Sequence, residues 1–343
     1  RVKKKECLML NLLENVYQGQ NLNFEQASGS FRQVLQGDVE LPVVAAMLAA
    51  LKTKGETVEE IAGAAAALRQ EAQYFPPAEY SVSDCCGTGG DGLNTINVST
   101  LVAIVAAAAG VKIVKHGNRS VSSKCGSADL MEQLGVTIDL NATRSKSLLD
   151  QANFCFLYAP DYHQGVKHVM PVRRSLKTRT IFNLIGPLAN PALPDTQLLG
   201  VYDEQYLEPF ARILELLGTK RALIVHGAGL DEIAVHGPTK AVMLNNGAIE
   251  KLEFSPEDFS ARRHDLSAIQ VGDGVDNKTA ALQLLSGEAP EAHVDMVAVN
   301  CSALLVLNGL AADYKEGYGI AKNIIQSGRG LNHLNKIKEL SNG

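Results

Sequence analysis

Several features are missing from this sequence, and each absence removes a class of function. No apolar run approaches the ~20 residues of a membrane span, and no signal-peptide core follows the charged start. Arg1 in first position points to a processed or trimmed start, and the expected location is the cytoplasm, with no membrane partner. Basic residues are not in excess: 32 Lys and Arg stand against 37 Asp and Glu, a net charge of −5. A nucleic-acid surface built on bulk electrostatics needs a basic face, so no nucleic-acid partner is expected. The six cysteines include no C-x-x-C pair, and adjacent Cys85 and Cys86 are badly placed to bridge each other or to share a metal. Unpaired thiols in a reducing compartment follow. The G-x-x-x-x-G-K-[ST] P-loop is absent, as are internal repeats and low-complexity segments. What remains is 343 residues, 46% hydrophobic and 20% charged, the composition of a soluble globular protein with a sizeable core and about two domains.

The first 75 residues read as helical. Thr57-Val58-Glu59-Glu60 is a capping box opening residues 61–72, and Asn23-x-x-Gln26 is a looser version ahead of Phe31 and Leu35. Residues 42–54 begin with proline at an early helical position and end at Gly55. Pro76-Pro77 stops the pattern and marks a boundary. From Tyr80 onward short β-branched runs alternate with helices. Val82 leads into glycines, residues 100–109 form an Ala-rich helix ended by Gly110, and 111–114 read as a strand. Residues 128–134 read as a helix and 136–140 as another strand, with 154–158, 198–202 and 223–225 continuing the series. Alternation of this kind means a largely parallel sheet covered by helices. A basic, Pro-bounded segment interrupts it at 161–194, residues 241–254 read as a hairpin turning at Asn245-Asn246-Gly247, and the remainder is mostly helical.

Four segments carry chemistry. Lys115-His116-Gly117-Asn118-Arg119-Ser120-Val121-Ser122-Ser123 packs two cations, an amide and three hydroxyls directly behind an apolar strand. That pattern predicts an anion-binding loop at a strand end, where N–H groups and hydroxyls hold phosphate oxygens. Upstream, Gly87-x-Gly89-x-x-Gly92 precedes the Ala-rich helix and formally matches the dinucleotide fingerprint, but the acidic residue expected about 20 positions on is missing. Asp91 inside this loop would repel a bare pyrophosphate and makes better sense beside a ribose hydroxyl or a metal ion. Two phosphate loops imply a substrate with more than one phosphate. Asp231-Glu232, in a loop after a strand, is a plausible Mg²⁺ platform, because Mg²⁺ is often held by one or two carboxylates plus substrate phosphates. Arg173-Arg174 in the basic insertion offers a guanidinium to the carboxylate of a second substrate, whereas His163 and His168 read as structural.

Together these segments resemble the anthranilate phosphoribosyltransferases. The resemblance runs through the G-T-G-G-D core of residues 84–91, then 94–100, 115–123 and Gly126-Ser127-Ala128-Asp129. It continues through residues 179–191 (R-T-I-F-N-L-I-G-P-L-A-N-P) and through His226-Gly227 with Asp231-Glu232, covering nearly the whole chain in order. It implies an α/β protein with a small all-helical domain, residues 1–76 plus about 165–192, that mediates homodimerisation. The larger domain, residues 77–164 plus 193–343, has a mostly parallel central sheet flanked by helices. The implied substrates are phosphoribosyl pyrophosphate (PRPP) and anthranilate, with Mg²⁺ as cofactor and a place in tryptophan biosynthesis, with which the absence of tryptophan is compatible. An association with anthranilate synthase is left open.

By the family's pattern, PRPP is held by Gly87, Gly90, Asp91, Thr95, Asn97, Val98, Ser99, Thr100, Lys115, His116, Gly117, Asn118, Arg119, Ser120, Val121, Ser122, Ser123 and Ser127. Gly87, Asn118 and Arg173 meet anthranilate, and Ser99, Asp231 and Glu232 ligate Mg²⁺. Lys115, Asp91 and Arg173 are the residues expected to carry catalysis. One departure is Cys125, where the family usually has Ser, and local repacking is expected there. The rival readings are a pyrimidine nucleoside phosphorylase, which also works at ribose C1, and a non-catalytic relative that binds nucleic acid. The intact 115–123 loop and the Asp231-Glu232 pair favour the pyrophosphate donor over the first, and the acidic balance disfavours the second. A dinucleotide-dependent oxidoreductase ranks behind both.

Overall fold

Two helix starts in the N-terminal region are closed by reciprocal hydrogen bonds. Asn23 Oδ1 accepts from Gln26 N (2.9 Å) while Gln26 Oε1 accepts from Asn23 N (3.0 Å), opening the helix Phe24–Gln36. Thr57 Oγ1 accepts from Glu60 N (3.3 Å) and Glu60 Oε2 from Thr57 N (2.8 Å), opening Val58–Gln70. Glu60 is fully buried and does more than cap: it also accepts from Leu22 N (2.9 Å) and pairs with Lys54 (2.9 Å). Between these two helices, Leu41–Lys54 ends at Gly55, whose φ of 87° only glycine adopts without strain.

The computed structural model describes residues 2–89, 93, 95–119, 125–271 and 276–343, with side chains from Met9 onward. They form two compact units. The helical unit comprises Arg1–Tyr74, Pro160–Pro191 and Arg212–Leu217. The buried Arg69 guanidinium ties its three segments together, donating from Nε to Leu188 O (2.6 Å) and from Nη1 to Leu217 O (3.1 Å).

The second unit comprises Phe75–Ala159, Ala192–Ala211 and Gly218–Gly343. Its sheet has seven strands: β1 (Ser83–Gly87), β2 (Ile113–Gly117), β3 (Phe154–Tyr158), β4 (Thr196–Gly200), β5 (Arg221–Gly227), β6 (Thr239–Asn245) and β7 (Ala248–Phe254). The spatial order is β3-β2-β1-β4-β5-β6-β7, parallel through β5 and antiparallel in the last two pairings. The β6–β7 hairpin turns through Asn246 (φ 48°) and Gly247 (φ 87°), the positive pair that a two-residue type I′ turn requires. The apolar helix Val98–Ala108 is buried along almost its whole length, as is Glu291–Leu307, and both belong to the unit's core. Among the described residues no single helix is long and apolar enough to cross a membrane. The pair Asn277–Ser286 and Glu291–Leu307 reaches the length only jointly and bends by 77°.

One predicted strand is absent from the sheet. Residues 136–140 have Val136, Ile138 and Leu140 buried in alternation, but among the described residues they pair with no strand. Instead Thr137 N donates to Ser341 Oγ (3.3 Å), so the alternating side chains are buried in the core without a ladder. Periodicity of two reports one buried face and does not report a pairing partner.

Candidate active site

In this strand order the chain leaves β1 toward β2 on one side, and β4 and β5 lie on the other. The carboxyl ends of β1 and β4 therefore flank the switch point at which parallel α/β sheets bind ligands. Gly87 and Gly200 are partners in the register at that spot. Both must be glycine, because another part of the chain lies against them. A Cβ on Gly87 would stand 2.1 Å from Asp231 Oδ2, and one on Gly200 would stand 1.5 Å from the Asp231 carbonyl oxygen.

The segment that occupies this space follows β5. Gly227 and Leu230 exchange two backbone hydrogen bonds (2.9 and 3.0 Å) across Ala228 and Gly229, both at positive φ, so the chain doubles back over the strand ends. Asp231 is thereby brought to β1 and β4, only 8% exposed, and its Oδ2 accepts from Gly89 N (2.7 Å). Glu232 lines a gap too narrow to hold a water together with Cys85, Cys86, Ser99, Val102 and Leu198. Thr88 joins the loop after β1 to the end of β4, its N–H donating to Gly200 O (2.9 Å) and its Oγ1 accepting from Tyr202 N (3.0 Å).

Lys115, in β2, is almost wholly buried, and its Nζ donates to Cys85 O (2.8 Å) and Ser99 Oγ (3.3 Å). A cation, a hydroxyl and two carboxylates thus gather where the sheet's strands end. Burial pushes the Cys85 and Cys86 thiols well up, so both line the gap as neutral groups. Ser99, Asp231 and Glu232 are all hard oxygen donors, of the type Mg²⁺ takes. The close approach of the Asp231 carboxylate to Gly87 brings it to the end of β1, so this donor set fits that ion. Among the described residues no three His, Cys, Asp or Glu side chains form a closed metal cage, and a Mg²⁺ site completed by substrate phosphates needs none.

The other expected ligands fall into place unevenly. Ser99 and Thr100 lie in the first turn of Val98–Ala108, whose N-cap residue Asn97 makes no side-chain capping hydrogen bond. Asn97 directs its Nδ2 to Gly126 O (3.4 Å) instead. Val98 and Thr100 are buried, and the Val98 N–H already donates to Ile96 O (2.7 Å). Thr95 pairs with Gln270 in an isolated bridge. His116 is half-buried at the end of β2. Beside it, Ser127 Oγ lies over Gly117, where a Cβ would meet it at 2.3 Å, and donates to Asn118 O (3.4 Å). Asn118 Oδ1 accepts from Arg119 N (2.7 Å).

The Arg119 side chain turns to protein partners. It forms a fork on Glu132 (2.5 and 2.8 Å), reaches Asp129 (3.3 Å) and donates to Tyr158 OH (3.2 Å). Cys125 is buried, its Sγ 3.7 Å from Asn97 Nδ2. The roles expected of Gly90, Asp91, Ser120, Val121, Ser122 and Ser123 concern positions outside the described residues.

Arg173 belongs to the helical unit, in Met170–Leu176. It is half-buried, its guanidinium 5.6 Å from the centre of the Phe182 ring, and among the described residues it meets no carboxylate. Burial lowers its pKa from the usual arginine value. Sequence reasoning overlooked Gly200, which it took as strand interior, and Asn300, which lay in a stretch read only as helical. A lone amide amid the apolar residues of Glu291–Leu307 was the available signal for the second.

Residues 79–331 match the α/β domain of a glycosyl transferase family, and residues 10–72 match that family's helical bundle domain. The anthranilate phosphoribosyltransferase of Pseudoalteromonas translucida is 49% identical over 96% of this chain and 93% of its own length. The chain belongs to the anthranilate phosphoribosyltransferase family. Among solved structures, the family member from Thermus thermophilus superposes with a TM-score of 0.90 at 37% identity, covering 96% of this chain and 99% of that one. The Saccharomyces cerevisiae member, in complex with PRPP and Mg, gives 0.87 at 28% identity over 98% of each chain.

Proposed function

We propose that the protein transfers the phosphoribosyl group of PRPP to the amine of anthranilate, giving N-(5-phosphoribosyl)anthranilate and pyrophosphate in tryptophan biosynthesis. The observation that carries this reading is the convergence of Lys115, Ser99 and the Asp231–Glu232 loop on the carboxyl ends of β1 and β4. It is joined by the family's close relatives of that name. A phosphorylase needs a nucleobase pocket and free phosphate, and no observation here favours it.

The amine of anthranilate is a modest nucleophile, so departure of pyrophosphate leads and the ribose acquires oxocarbenium character. Lys115 supplies a fixed positive charge to the departing diphosphate, and Ser99 and Thr100 in the first turn of Val98–Ala108 supply backbone N–H groups. Asp231, Glu232 and Ser99 would hold Mg²⁺, which when bound neutralises part of the diphosphate's charge. Arg173 takes the anthranilate carboxylate through a bidentate contact and orients the amine, with Gly87 and Asn118 as further acceptor-site residues. Asp91 is assigned to the ribose, and Ser120, Ser122 and Ser123 to phosphate oxygens. The protein acts as a homodimer built on the helical unit, where Leu10, Tyr17 and Leu41 leave large apolar side chains about half exposed. A cytoplasmic location fits the free thiols of Cys85, Cys86, Cys125, Cys155 and Cys301.

Anthranilate fluorescence gives the test. Its decay should require both PRPP and Mg²⁺, and decay without PRPP, or none with both present, would sink the assignment.

A further inference from the structure

The carboxylates of Asp231 and Glu232 can act on a cation only if the backbone carrying them is held still, and a side chain from the core does this. Asn300, fully buried in the helix Glu291–Leu307, accepts at Oδ1 from Ile233 N (2.9 Å). Its Nδ2 donates to Ile233 O (2.9 Å) and to Met296 O (2.9 Å). Both backbone polar groups of the residue directly after Glu232 are therefore gripped by one amide, as a neighbouring strand would grip them. On the next residue, Ala234 N donates to buried Thr239 Oγ1 (2.9 Å). Glu232 O also lies against the end of β5, where a Cβ on Gly227 would meet it at 2.3 Å.

We infer that Asn300 is a positioning residue for the Asp231–Glu232 pair, setting the cation affinity of the site from the far side of the loop. The inference rests on the reading that these carboxylates hold the cation. A buried amide with every donor and acceptor used is stiff, because each alternative placement of the loop leaves polar groups unpaired in the core. Side chains that orient metal-binding groups from behind typically change metal affinity by about 10- to 100-fold when removed.

The experiment titrates Mn²⁺ in the presence of inorganic pyrophosphate and follows the free ion by electron paramagnetic resonance. The proteins are the wild type, Asp231→Asn/Glu232→Gln, Asn300→Leu, Thr239→Val and Ser302→Ala, and a melting temperature is recorded for each. Ser302 is on the same helix and also loses a buried bond, its Oγ donating to Tyr314 O (2.6 Å), but it does not touch the loop. The double carboxylate variant should lose Mn²⁺ binding, and wild-type binding there would overturn the underlying reading itself. With that reading intact, Asn300→Leu should raise the Mn²⁺ dissociation constant by about 10-fold or more. Thr239→Val should move it in the same direction, and Ser302→Ala should leave it in place. If Asn300→Leu does not fold, Thr239→Val against Ser302→Ala decides. Wild-type Mn²⁺ affinity in the folded loop variants, or an equal shift in Ser302→Ala, would reduce Asn300 to a packing role and end the inference.

Discussion

Gly200→Ala is the sharpest perturbation the structure offers, because it adds one methyl group and no new chemistry. The added Cβ would stand 1.5 Å from the Asp231 carbonyl oxygen, 2.2 Å from its carbonyl carbon and 3.0 Å from its Cα, whereas ordinary contact begins at 3.4 Å. All three are backbone atoms, so no rotamer change relieves the clash. The Asp231–Glu232 loop has to retreat by about 2 Å, or β4 has to yield by the same amount. Overpacking of this kind destabilises by about 1–3 kcal/mol, which a domain of this size tolerates. A displacement of ~1 Å in a positioned catalytic group lowers turnover by about 100-fold, so a loss of at least that order in kcat is expected. The half-saturating Mg²⁺ concentration should rise with it. The assay is anthranilate fluorescence at saturating PRPP across a Mg²⁺ series, with circular dichroism to confirm the fold. Gly319→Ala is the control: it sits in the helix Tyr314–Gln326 with open space around its Cβ. That variant should keep full activity and gain about 0.5–1 kcal/mol of stability. A folded Gly200→Ala protein with wild-type kcat and Mg²⁺ response would refute the placement of the loop against the strand ends.

Three further outcomes are expected. Arg173→Ala should raise the anthranilate KM by about 10-fold or more, the worth of a charge-assisted contact, and the PRPP KM far less; equal effects on both would remove its proposed role. Lys115→Met should lower kcat by about 10²–10³-fold with the fold retained, since the amine's two contacts are with Cys85 O and Ser99 Oγ, and near-normal turnover would show that no charge builds up there. The third concerns pH. Burial lowers the His163 imidazole from 6.5 to about 4, so it is neutral when folded and gains a proton on unfolding between those values. Stability of the helical unit therefore rises with pH across that window and is flat above it, by about 3 kcal/mol in full. Denaturant midpoints from pH 4 to 7 should show this slope, reduced in His163→Gln; unchanged slopes in the variant would count against a buried neutral imidazole.

Local rules made much of the fold readable. Asn23 with Gln26 and Thr57 with Glu60 mark helix starts because a cap is satisfied within four residues, and Asn246-Gly247 marks a hairpin because its φ demands are equally local. β1 was harder: Ser83 and Asp84 are fully buried polar residues, and only Val82 and the following glycines betrayed the strand. Residues 136–140 misled because alternation records burial, which here comes without a neighbouring strand. In the site, Lys115, Asp231 and Glu232 were named from chemical type and position after strands, and Ser99 from the family resemblance. Arg119 was named with the phosphate loop, and its pairing with Glu132 comes from a helix packed beside that loop, which no local pattern announces.

The sequence by itself determined which functional groups this protein has, in which order, and which family they belong to, because glycine-rich turns, hydroxyls and paired carboxylates are properties of short segments. Tertiary structure alone decided where they meet. Asp231 reaches Gly89 across 142 positions, and Asn300 grips Ile233 across 67, because strand order puts β4 between β1 and β5 and the helix Glu291–Leu307 lies behind the loop that follows β5. No local pattern states that order: it is fixed by which apolar faces bury one another, and the glycines at 87 and 200 acquire their meaning only once the loop lies against them.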